Sequence, residues 1–240
     1  YWIGGDFWFL HCGLDSLASL ESVMSAKIAF SESADLSDLK SFLERAKRLD
    51  ESGIVKFKAA GDVLAVYVSP IFSGSLLGGG TTVLGLRTLR LRSEYQIDAN
   101  FEIASILDRL AKPTVFVTSA LELPAATVKV SWAGITPPRD GWERVASISQ
   151  VELSEVAKLG IAEVASLLPE SIGSSIASKV RQEVWGRLIA AETPYPAGAA
   201  FAMSGLGFLT PDEEIAVFQA PGWLRLSSEN GHVLCRFGSN

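Results

Sequence analysis

Apolar residues recur along this chain with two different periods, and each period predicts its own kind of element. Leu36, Leu39, Phe42, Leu43, Ala46 and Leu49 share one side of a helix, with Asp35 placed to cap its start. Lys40, Glu44, Arg45, Lys47 and Arg48 decorate the remainder as a solvated face. Lys27–Phe30 ahead of this helix reads as a short strand. Residues 54–69 alternate with period two. With Gly61-Asp62 as a two-residue turn, Val55 meets Val68, Phe57 meets Val66 and Ala59 meets Leu64, which predicts a hairpin. Lys56, Lys58 and Tyr67 fall on its other face. Alternation resumes over Thr82–Arg92. Asp98 then caps a helix expected over 99–111, with Phe101, Ala104, Leu107 and Ala111 on one side and Lys112-Pro113 at its end. Strands fit Thr114–Thr118, Thr127–Trp132 and Trp142–Ile148.

The second half is mostly helical until its end. Ser149-Gln-Val-Glu152 is a capping box, and Ile148 and Leu153 are spaced for a hydrophobic staple, so a helix is predicted over 150–168. Pro169 and Gly173 break it. Ser174 can cap a second helix whose inward face holds Ile176, Val180, Val184 and Leu188. Residues 197–209 are small and apolar nearly all round, which predicts a buried third segment. Thr210-Pro-Asp-Glu213 can form one further turn, and Ile215–Gln219 a strand. Asn230-Gly231 between two alternating runs marks a hairpin. Centred on that turn, Glu229 faces His232, Leu226 faces Cys235, Arg225 faces Arg236 and Leu224 faces Phe237. The expected fold class is α+β: an antiparallel-strand-rich N-terminal part with helices, then a three-helix part closed by a small antiparallel sheet. The corresponding division is 24–143 and 144–240.

Between the halves lies Trp132-Ala-Gly-Ile-Thr-Pro-Pro-Arg-Asp-Gly-Trp142. Consecutive prolines keep residues 137 and 138 out of any helix interior or central ladder, and Asp140-Gly141 is a turn signal. The plain reading is a stiff connector pinned by Trp132 and Trp142. The sharper one is a recognition loop presenting Arg139 and Asp140. The C-terminal hairpin adds a second candidate. Like charges opposite each other are unfavourable unless offset, so Arg225, Arg236 and His232 could hold an anion. The candidate ligand-binding set is therefore Trp132, Arg139, Asp140, Trp142, Arg225, His232 and Arg236.

Composition narrows the function classes. The 240 residues are 48% hydrophobic, with a mean hydropathy of +0.26, enough to bury a core and leave apolar surface for an interface. No run of about eighteen uncharged apolar residues supports a membrane span. Residues 1–23 hold three acids and no base, residues 24–92 ten bases and seven acids, and residues 93–240 eleven bases and seventeen acids. Neither half has the basic balance of a nonspecific nucleic-acid binder, so no nucleic acid is expected. The first stretch is dense in aromatics and precedes Met24-Ser-Ala-Lys-Ile, which reads as a natural start; residues 1–23 are expected to be an upstream or non-native extension. Cys12 and Cys235 are too few for a disulfide framework and fit a reducing, cytoplasmic setting.

Motifs for chemistry are weak. Gly74-Ser-Leu-Leu-Gly-Gly-Gly-Thr81 approaches a phosphate loop, but Gly80 stands where the lysine belongs and a strand pattern follows. No G-x-S-x-G elbow occurs. His232 and Cys235 are three apart on a strand, hence on opposite faces, so no metal site and no cofactor is implied. Three helices, a strand and a hairpin over 150–237 follow the order of a winged helix, yet the third segment offers no Arg, Lys, Asn or Gln to a base edge. No catalytic residue stands out.

Several stretches carry a likeness: Gly-Asp-Val-Leu-Ala-Val-Tyr-Val (61–68), Gly-Thr-Thr-Val-Leu-Gly-Leu-Arg-Thr-Leu (80–89), residues 132–143, Val-Trp-Gly-Arg (184–187) and Gly-His-Val-Leu (231–234). On these the chain from Met24 onward resembles uncharacterised hypothetical proteins of actinobacterial genomes. The resemblance implies a bacterial cytoplasmic setting and brings no catalytic residues. The functional expectation leans away from an enzyme: an interaction or regulatory protein that buries its apolar excess against a homodimer mate or a protein partner. The alternative is a small-molecule or anion-binding domain with a pocket near Pro137–Trp142.

Overall fold

The computed structural model describes residues 26–72, 80–168 and 174–237. The extension expected over 1–23 and most of the glycine stretch at 74–81 lie outside them. In chain order the elements are β1 (Lys27–Ala29), α1 (Ser33–Leu49), β2 (Ile54–Ile71), β3 (Thr82–Glu102), α2 (Ile103–Leu110), α3 (Pro113–Thr118) and β4 (Ala120–Glu122). After a 3-10 turn at Ser131–Gly134 come β5 (Glu143–Ser149), α4 (Gln150–Leu167), α5 (Ser174–Gly186), β6 (Leu188–Ile189), β7 (Tyr195–Pro196), α6 (Ala197–Gly205), β8 (Glu214–Ala220), β9 (Trp223–Ser228) and β10 (Gly231–Arg236). The fold is α+β, and its pairings are antiparallel.

One six-stranded sheet, in the order β2-β3-β10-β9-β8-β5, joins the two halves through the β3–β10 pair. Its alternation produces two faces. The first holds Val55, Phe57, Leu64 and Val66 of β2, Leu89 and Phe101 of β3, and Leu226 and Val233 of the C-terminal pair, all buried. The helices pack here. α1 contributes Leu36, Leu39, Phe42, Leu43 and Ala46, as its helical spacing predicted, and α6 is buried through most of its length. The second face holds Leu84, Leu234, Trp223 and Ala220, and Trp132, Ala133 and Ile135 lie over it as a separate buried cluster.

Several expectations are corrected. No hairpin forms within 54–69: β2 runs straight through and pairs along its length with β3, Val55 opposite Phe101 and Val66 opposite Arg87. A two-residue hairpin turn of the I′ type needs positive φ at both central residues. Only Gly61 supplies it, at +84°, and it serves a bulge between Gly61 and Val63. The helix expected over 99–111 begins at Ile103, because Ala99 and Phe101 alternate against β2 as strand residues. Residues 114–118 are helical, with Pro113 at the first helical position and Ser119 left-handed at the C-terminal cap. Residues 127–130 are extended but form no ladder; Asn100 holds them at Val128, whose N–H donates to Asn100 O at 2.9 Å and whose carbonyl accepts from Asn100 Nδ2 at 3.1 Å.

Smaller corrections concern helix ends and faces. α1 starts three residues early, with Glu32 rather than Asp35 at the N-cap, and Asp35 accepts from the Glu32 N–H at 3.1 Å. Arg45 leaves the solvated face: its Nη1 donates to Leu206 O at 3.3 Å and Gly207 O at 3.1 Å, closing the end of α6. In α5 Val184 is buried, whereas Ile176 is exposed and Leu188 stands beyond the helix in β6. The helix predicted over 150–168 stands as α4, and Ser149 Oγ accepts from Glu152 N–H at 3.2 Å.

Candidate functional site

The second face of the sheet is only partly covered. Strand register arranges its side chains in rows. One row runs Arg144–Phe218–Arg225–Leu234–Leu84, from β5 to β3. Beside it runs Ser147–Ala216–Ser227–His232–Leu86–Tyr67. On the other side lie Ala220, Trp223 and Arg236. The Trp132 cluster covers the Leu84, Leu234 and Trp223 end. Phe218, Arg225, Ser227, His232, Leu86 and Tyr67 remain half-buried. These three rows contain Arg144, Arg225, Arg236 and His232 and no carboxylate.

Arg225 is the centre of this surface. Its guanidinium lies over the Phe218 ring at 4.4 Å and over the Trp142 ring at 4.6 Å. Phe218 is its cross-strand neighbour, and Trp142 is held by an Nε1–H bond to Pro138 O at 3.0 Å. The rigid loop thus presents its second tryptophan to an arginine of the hairpin. Cation–π contact of this kind is worth about 0.5–1 kcal/mol at an exposed site and more when desolvated. Nε of Arg225 is buried without a hydrogen-bond partner. Burial lowers its pKa, and no acid offsets that burial.

His232 stands one row away, directly opposite Ser227, with Nδ1 3.0 Å from Ser227 Oγ. Burial lowers its pKa first, and the positive charges of Arg225 and Arg87 add to the effect. The ring is therefore biased toward neutral. Arg87 points to the helix side, where its Nε donates to Asp38 Oδ2 at 2.7 Å. Near the loop's first tryptophan, Lys56 Nζ donates to Ala133 O at 2.7 Å and pairs with Asp98 at 3.0 Å. Tyr67 lies close by: burial raises its pKa, Arg139 opposes the rise and Asp98 adds to it.

Of the seven residues expected from sequence, Trp142, Arg225 and His232 come together on this open surface. Trp132 is buried and anchors the covering loop. Arg139 and Asp140 are exposed on that loop. Arg225 does not face Arg236. The true register places Arg225 opposite Leu234 and Arg236 opposite Trp223, a shift of two residues from the expected pairing. The reason is that Gly231 is a strand residue opposite Ser228, where a Cβ would strike the Phe208 ring at 2.5 Å; the turn is Glu229-Asn230. The expected Glu229–His232 pairing gives way to Ser227–His232. Phe218, Ser227, Tyr67 and Lys56 were missed as site residues. A signal for Phe218 was present: Ile215 and Val217 take the inward positions of β8, so Phe218 is a large aromatic on the outward face.

Elsewhere, Cys235 is fully buried and burial pushes its thiol pKa up, away from a reactive thiolate. Among the described residues no group of three or more His, Cys, Asp or Glu could hold a metal ion. Among them also, no helix is long and apolar enough to cross a membrane. A cleft of about 1030 Å³ lies between the α1–β2 turn and α4–α5, with Trp132, Trp185, Phe201, Arg48, Arg181 and Gln182 in its walls.

Residues 24–134 match the family described as a domain of unknown function (DUF8010), and residues 137–240 match another so described (DUF8185). The chain joins matches to two families of unknown function. Their junction falls in the loop between the 3-10 turn and Trp142, and the sheet takes strands from both sides of it. No curated protein matches the chain in sequence. Among solved structures, the chain is similar to a protein described as a DNA polymerase III beta subunit from Eubacterium rectale, with 12% identity and a TM-score of 0.49, covering 89% of this chain and 65% of that one. It is also similar to Borrelia burgdorferi DNA polymerase III subunit beta, with 7% identity and a TM-score of 0.47, over 85% and 64%. For Caulobacter crescentus pol III beta the values are 13%, 0.46, 90% and 66%. The chain thus spans less than two thirds of the length of these structures. At these identities and scores the likeness says nothing of activity.

Proposed function

We propose that this chain is a non-enzymatic interaction protein, bacterial and cytoplasmic, whose binding surface for a protein partner is the uncovered part of the second sheet face. The observation that carries the reading is Arg225 laid over Phe218 and Trp142, with Leu86 and Tyr67 one row away, all half-buried. Trp, Tyr and Arg are the side chains that dominate interface energetics, because they supply large rigid contact area with a polar end. Here they are held in place before any partner arrives: Trp142 by Pro138, Phe218 and Arg225 by ladder register. Little ordering cost then remains for association.

The test is native mass spectrometry of the full chain purified gently from its source cells, beside a Phe218→Glu variant. A protein of defined mass bound to the wild type and absent from the variant, with unchanged thermal unfolding, is the expected result. A wild-type chain without any bound protein, or a partner indifferent to Phe218→Glu, refutes the reading. A second reading, small-molecule binding, is favoured by the cleft with aromatic walls and two arginines; it requires a discrete small adduct in the same spectrum.

A further inference from the structure

We infer that Arg225, with His232 beside it, is a carboxylate-binding site, and that the group it takes is an acidic side chain of a protein segment docking on this sheet face. The inference rests on the interaction reading above and names the partner's chemistry.

The geometry supplies three independent grounds. First, Arg225 has no acceptor: among the described residues it makes neither a hydrogen bond nor an ion pair, while Arg87, Arg187 and Lys56 each have a carboxylate. A guanidinium fixed over two rings, with its Nε buried, leaves the terminal Nη pair to donate, and that pair matches a carboxylate with two parallel N–H bonds. Second, His232 is oriented. In the tautomer whose Nδ1 accepts from the Ser227 hydroxyl 3.0 Å away, Nε2 of the neutral ring carries the proton and is a second donor. Third, the surrounding rows are complementary to an anion: Arg144 and Arg236 flank Arg225 on either side, and no Asp or Glu stands in any of the three rows. Phe218, Trp142 and Leu86, half-buried beside the charge, give an adjoining apolar residue of the segment something to cover.

The probe is N-acetyl-glutamate, with inorganic phosphate as the competing arm, each titrated at constant ionic strength into the full chain carrying 15N-labelled histidine. The chain has two histidines, and His232→Asn assigns the signals. A saturable shift of the His232 ring with N-acetyl-glutamate, weakened about tenfold or more in Arg225→Gln, is expected; tenfold corresponds to about 1.4 kcal/mol. Where Arg225→Gln does not fold, Arg225→Lys keeps the charge but loses the fork, and is expected to weaken the probe as well. Tighter binding of phosphate than of N-acetyl-glutamate overturns the carboxylate assignment. So does the absence of a saturable shift, or a shift unchanged in the folded Arg225 variant. The two readings fail separately. A chain that holds its partner but ignores N-acetyl-glutamate overturns this inference alone; a chain that binds N-acetyl-glutamate but has no Phe218-dependent partner overturns the interaction reading and leaves the anion site standing.

Discussion

Replacing Gly160 with alanine reverses a familiar effect. In a helix interior, alanine is favoured over glycine by about 1 kcal/mol. Gly160 sits inside α4 and is buried, where a Cβ would overlap the Trp185 ring, coming within 2.6 Å of Cη2. Trp185 cannot swing aside freely: it is 3% exposed and stacked on Phe201, with centroids 4.4 Å apart and ring planes at 23°. Overpacking of this kind costs about 1–3 kcal/mol. Subtracting the helix gain leaves Gly160→Ala destabilised by about 0–2 kcal/mol, a fall in Tm of up to about 8 °C for a chain of this size. Urea unfolding of Gly160→Ala, Trp185→Leu and the double variant measures the cause. With the indole gone, alanine at 160 should recover its helix gain, so the two sites couple by about 1–3 kcal/mol. A Gly160→Ala variant more stable than wild type by about 1 kcal/mol in both backgrounds would refute the packing of α5 on α4 through this glycine.

Two further outcomes follow from particular contacts. Arg45→Met keeps the aliphatic stem but removes the bonds to Leu206 O and Gly207 O; hydrogen bonds from a charged donor are worth about 1.5–3 kcal/mol, and a loss below about 0.5 kcal/mol in urea unfolding would show that water replaces the guanidinium at no cost. His232, half-buried, with Arg225 beside it on β9 and the charge of Arg87 on the helix side of β3, has a pKa below its usual value in the folded state. The unfolded chain therefore binds the extra proton first, so His232's contribution to stability is complete above about pH 6.5 and is lost as pH falls toward the folded pKa. The difference between wild-type and His232→Gln stability curves isolates that contribution; a difference that grows in favour of wild type as pH falls would contradict the sign.

Local signals were legible and partner choice was not. The capping box at Ser149–Glu152 and the all-apolar run at 197–209 each report on a few neighbouring residues, and α4 and buried α6 follow. The apolar stripe of α1 was read correctly, while Arg45 was misplaced because its acceptors at Leu206 and Gly207 lie 161 and 162 residues away. Alternation over 54–69 assigned the right face to Val55, Phe57, Val66 and Val68. It did not say whether that face pairs with itself around Gly61 or with β3. Both pairings bury the same residues, and the longer ladder with β3 satisfies more backbone groups. At 114–118 the β-branched run suggested a strand, but Pro113 at the first helical position and a place beside α1 and α2 outweigh that preference.

The candidate site shows why an error in register spared the chemistry. A slip of two residues along a strand changes every opposite partner but returns each side chain to the same face. Arg225, His232 and Arg236 were therefore placed on one surface correctly, although the arginines were wrongly set opposite each other. Opposition would have made the pair a defect needing an ion for relief. The actual register puts Arg236 four positions along β10 from His232, beside Trp223, and gives Arg225 two aromatic rings instead of a second charge. Stacking stabilises the cation without neutralising it. A carboxylate partner would have consumed the charge; the rings hold it in place and leave it unspent. That distinction, which depends on where the loop from Trp132 to Trp142 comes to rest on the sheet, separates an arginine built into the fold from one kept for something outside it.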